Sequence, residues 1–158
     1  MNRRIIILFS LVSLIALAAT DAPMRAETQF LERSQALTQK HDYVAALTIL
    51  DQGLLLYPSS ELLIAAFRKN SELYIVHEIS TGYQQIDKNS HDVKAYVRVS
   101  EAFSLAGERL KALEVLTEGT FENPKSSVLW SAIGKLEQTA GRLAEANSAF
   151  EEAKRQIE

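Results

Sequence analysis

The chain has 158 residues, 47% of them apolar and 23% charged, which is room for one compact domain of ordinary size and excludes a two-domain enzyme. It contains no cysteine, so disulfides, thiolate metal sites, a cysteine nucleophile and a lipidated N-terminal cysteine are all ruled out. With 17 basic and 20 acidic residues the net charge is −3, the wrong sign for a basic nucleic-acid-binding module.

Residues 1–22 open with Arg3 and Arg4 and continue as an apolar run from Ile5 to Ala19, broken only by Ser10 and Ser13. That is the layout of a secretory signal peptide, with an A-x-A-like cleavage site after Ala18 and alternatives after Ala19 or Ala22. The other reading is an uncleaved anchor whose arginines stay on the cytoplasmic side. A run of 15 residues falls short of the roughly 20 that span a bilayer as a helix, which favours cleavage. The expected location is periplasmic or secreted, or inner-membrane anchored facing the periplasm if the leader is kept. Residues 23–26 read as a linker. Without the leader 15 basic residues face 20 acidic ones, a net charge of −5. A cysteine-free exported chain must then draw its stability from packing from about Glu27 onward.

Self-similarity organises that remainder. Moved forward by 34 positions, Tyr96, Ser100, Gly107, Ala112, Leu116 and Gly119 fall on Trp130, Gly134, Gly141, Ala146, Phe150 and Ala153. Moved back by 66 they fall on Phe30, Ser34, His41, Ala46, Leu50 and Gly53, and Pro124 falls on Pro58. Within a copy the apolar residues have helical spacing: Leu129, Trp130, Ile133 and Leu136 before Gly141, then Leu143, Ala146, Phe150 and Ala153 after it. The spacing predicts a helical hairpin in which small residues let two backbones approach and large ones fill the space beside them. One hairpin cannot bury its own faces, so neighbours must stack.

This pattern of bulky, small, turn glycine, alanine, large, small and proline resembles the tetratricopeptide repeat (TPR) family. The resemblance implies an all-α fold of antiparallel helix pairs stacked as a right-handed TPR solenoid, here of about four repeats: 27–60, 61–92, 93–126 and 127–158. The second departs from the pattern, with Leu62, Leu63, Ala66 and Phe67 on a first helix, Val76, Ile79, Tyr83 and Ile86 on a second, and no turn glycine. It reads as a degenerate repeat or as an irregular helical pair.

No catalytic constellation is legible, and the chain is read as a non-enzyme that needs no cofactor. His41, His77 and His91 lack metal-ligand spacing, and His41 takes the place of a turn glycine. Asp92, after His91, is placed to cap a helix. Glu151 and Glu152 are adjacent and point to different sides of one helix, so they do not form a carboxylate pair.

In TPR proteins the first helices of successive repeats line a concave face that binds peptides. The resemblance places Thr28, Leu31 and Gln35 on that face in the first repeat. In the third it places Lys94, Val97, Arg98 and Glu101, and in the fourth Val128, Ser131, Lys135 and Gln138. Lys94 and Arg98 match the last two members of the family's carboxylate clamp, but Leu31, Gln35 and Ala66 replace its other members, so the clamp is incomplete. The expected partner is a protein or peptide of a bacterial envelope, with no nucleic acid and a membrane only if the leader is uncleaved. Self-association is the alternative, through a last helix whose face bears Leu143, Phe150 and Ile157.

Overall fold

A computed structural model describes residues 26–157. The expected leader and nearly all of the linker therefore lie outside the described residues. Those residues are helical throughout apart from tight turns. Helix α1 covers described residues 26–39. It is followed by α2 (Tyr43–Leu56), α3 (Glu61–Lys88), α4 (Val93–Leu105), α5 (Arg109–Glu122), α6 (Ser127–Thr139) and α7 (Leu143–Arg155). The chain divides into two compact units, with the boundary inside α3 after Ser71. None of these helices is long and apolar enough to cross a membrane.

The 34-residue period is a structural one. α6 starts 34 residues after α4, and α7 starts 34 residues after α5. The turns also repeat. Gly107 and Gly141 take the left-handed conformation with φ of 76° and 75°, and His41 holds the same position at 59°. In each turn the next residue's N–H reaches back five residues, Asp42 to Leu37, Glu108 to Phe103 and Arg142 to Glu137, at 2.8–3.0 Å. This is a Schellman closure, which uses carbonyls that a helix end would otherwise leave unpaired. The prolines mark the second kind of turn. Tyr57 and Asn123 share φ near −130° and bond back to Gly53 and Gly119. Ser60 and Ser126 then accept from Leu63 N and Leu129 N at 3.3 Å, capping α3 and α6.

In the first unit, α1 and α2 form a hairpin in which Gly53 lies against the Phe30 ring and Leu63. Ser34, Ala46, Leu50 and Leu63 are buried around it. In the second unit, α4 pairs with α5 and α6 with α7, and α4 also meets α6. Tyr96, Val99, Val115, Leu116, Leu129, Ile133 and Ala149 form its core with Ile86 of α3. Asp92 caps α4 as expected, accepting from Lys94 N and Ala95 N.

The second repeat requires a correction. Its expected hairpin is a single 28-residue helix, α3. The segment has no turn glycine at its middle, and Asn70 and Ser71, where a break would fall, bond back to Ala66 O and Phe67 O within the helix. Gly82 does not break it either, because Val99 Cγ2 fills the space where a Cβ would point.

Candidate functional site: the groove along α4 and α6

In the second unit α4 and α6 border a groove of about 450 Å³. Positions 34 residues apart both contribute to its lining: Val97 and Ser131, and Glu101 and Lys135. These four and Val128 are the sequence-predicted residues that the structure gathers into one site. Ser100, Ser104, Leu116, Ser127, Ala132, Leu136 and Thr139 also line it but were not among the residues expected on the concave face. The repeat register pointed to Ser104, as the counterpart of Gln138, but Leu116 comes from the second helix of its hairpin.

The remaining predicted residues lie elsewhere. Lys94, Arg98 and Gln138 are on the same two helices but do not line the groove. Thr28, Leu31 and Gln35 are on α1 in the other unit, Leu31 half-buried and the others exposed. The Arg98 guanidinium is engaged by its own fold, with Nε 3.3 Å from Glu78 Oε2 and Nη1 donating to Gln85 Oε1 at 3.0 Å. It therefore does not project as one half of a cation pair with Lys94.

The polar character of the groove follows from local helix chemistry. Ser100, Ser104 and Thr139 each donate their hydroxyl hydrogen to a carbonyl one turn back, Val97 O, Ser100 O and Leu136 O, at 2.9 Å. Among the described residues neither Glu101 nor Lys135 belongs to an ion pair. Glu101 is close enough to Tyr74 to help hold its phenol above the ordinary range, after burial, the larger cause, and the charge of Glu78. No group of three or more metal-ligating side chains occurs among the described residues.

A charged cluster outside the groove carries no repeat signature. Glu137 is 4% exposed and receives Arg109 Nη1 at 3.2 Å and Arg142 Nε at 3.2 Å, joining α5, α6 and the turn before α7. Its repeat counterpart is Phe103, so the spacing could not reveal it. Arg142 also donates to Glu145 at 2.7 Å. Leu143 at the start of α7 and Ile157 in the turn after it are exposed, whereas Phe150 of α7 is half-buried and turned onto Gly134.

No protein-family model matches the chain, and no curated protein matches it. Among solved structures, it is similar to a crystal structure of MamA protein at 17% identity, covering 82% of this chain and 72% of that one with a TM-score of 0.48. It is also similar to TTC0263, a thermophilic TPR protein of Thermus thermophilus, at 19% identity, 80% and 72% coverage and a TM-score of 0.46. A MamA D159K mutant is similar at 14% identity over 98% of this chain and 99% of that one, with a TM-score of 0.42.

Proposed function

We propose that the chain is an exported, non-catalytic scaffold that holds a segment of a partner protein in the groove along α4 and α6. The observation that carries this reading is the groove itself, which equivalent positions of two successive repeats line with apolar and polar side chains. Export is supported by the basic start and apolar run of residues 1–22. N-terminal sequencing of the protein recovered from a bacterial periplasm should find a chain beginning at Ala19 or a neighbouring residue.

Ser131→Tyr tests the binding reading by filling the groove from a half-buried position on α6. The variant should keep the wild-type melting temperature and lose the protein partner that copurifies with the wild type. Retention of that partner would contradict the reading. A second reading, a structural envelope subunit that self-associates, is favoured by the exposure of Leu143 (61%) and Ile157 (76%). Sedimentation over a range of concentrations separates the two, since only the second gives a tight oligomer that Leu143→Glu disperses.

A further inference from the structure

The chemistry of the groove lining specifies its occupant further, and this inference rests on the groove being the binding site. We infer that the groove takes a segment carrying a Lys or Arg and an Asp or Glu about three residues apart with an aliphatic side chain between them, and not a peptide's terminal carboxylate.

Three observations lead there. First, the α4 side of the groove is rich in acceptors. Ser104 has spent its hydroxyl hydrogen on a backbone carbonyl and offers lone pairs, as Thr139 does from α6. Glu101 adds a carboxylate, which can only accept. A ligand must therefore bring donors to this side, and a cationic side chain supplies the strongest. Second, Lys135 is the one cation among the groove-lining residues, and it stands on α6 at the repeat position that Glu101 holds on α4. Since these two charges are not paired with each other, each is open to an opposite charge on a ligand. Packed helices are about 8–10 Å apart, a distance that a polyproline-II segment covers in about three residues while bringing the side chain back to the same face. Third, Val97, Leu116, Ala132 and Leu136 supply apolar surface to the same groove, suited to an aliphatic side chain between the charged ones.

The same facts disfavour a terminal carboxylate. Its two oxygens need convergent cations, but Arg98 is held by Glu78 and Gln85, and Lys94 does not line the groove. Glu101 would repel it.

Selection of a phage-displayed random peptide library on the protein purified from cells expressing the full chain tests the inference. Glu101→Lys and Lys135→Glu serve as variants, both at exposed positions. The wild-type pool should be enriched in a basic and an acidic residue about three apart. Glu101→Lys should lose the basic preference and Lys135→Glu the acidic one. A synthetic peptide from the wild-type pool should bind either variant roughly tenfold more weakly, and bind all forms more weakly at high salt. A pool without paired charges, or with preferences unchanged in both variants, would overturn the inference while leaving the groove as the site, provided the peptides still shift the amide resonances of Val97 and Ser131. An empty pool, or peptides that shift only resonances elsewhere, would overturn the groove reading and the inference with it.

Discussion

A Cβ built on Gly134 would lie 2.4 Å from Phe150 Cε1, so the ring of α7 fills the space that any larger residue on α6 would need. Gly134→Ala should therefore lower stability by about 1–3 kcal/mol, even though alanine favours a helix over glycine by about 1 kcal/mol. Combining it with Phe150→Leu should return part of the loss, because the smaller side chain leaves room for the methyl group. Thermal unfolding checks both, and an unchanged melting temperature for the single variant would contradict the packing described.

Tyr96 lies against Gly119 and is fully buried, yet its hydroxyl has no hydrogen-bond partner. Tyr96→Phe removes an unpaired buried polar group and should be neutral or stabilising by about 1 kcal/mol.

The same residue gives a pH dependence. Burial first, and then the charges of Glu118 and Glu122, raise its pKa above 10.0, the ordinary tyrosine value. The unfolded chain therefore loses this proton at a lower pH than the folded chain, and stability should fall as pH rises past about 10. Tyr74 and Tyr83 are raised as well, again mainly by burial. Denaturant unfolding of wild type and Tyr96→Phe between neutral pH and pH about 11 should show a shallower alkaline decline in the variant.

Gly141 has φ of 75° with open space around it. Gly141→Ala should cost about 1–2 kcal/mol from backbone conformation alone, without a steric clash. Its effect should add to that of an equally uncrowded Gly107→Ala, which chemical denaturation of the double variant would show.

Glu137→Gln should destabilise by about 1–3 kcal/mol. It removes the charge that Arg109 and Arg142 share at a buried position, although both arginines can turn part of their surface to water. The loss should appear in unfolding experiments and leave partner binding intact, since Glu137 does not line the groove.

Where the residues repeat, the fold was readable. Gly107 and Gly141 mark turns because few other residues adopt a positive φ easily, and His41 could be placed in the same turn by register alone. Asp92 could likewise be expected to cap a helix. The segment 61–92 was misread because hydrophobic periodicity continues unchanged through a hairpin turn or a straight helix. Only a residue that stops the helix tells the two apart, and Asn70 and Ser71 bond into the helix instead. The site shows the same division. Val97, Glu101, Ser131 and Lys135 follow from the resemblance to TPR proteins, but the engagement of Arg98 by Glu78 depends on which side chains meet in three dimensions. Glu137 and its arginines have no counterpart in another repeat, so the period gives no hint of them.

The central claim, that the groove along α4 and α6 is where a partner is held, is tested most directly by placing a photo-crosslinking residue at Ser131. The control is the same residue at Glu118, which is exposed on α5 away from the groove. Irradiation of cells expressing the full chain should give a discrete protein adduct from position 131 and none from position 118. Adducts of equal yield from both positions, or from 118 alone, would contradict the account.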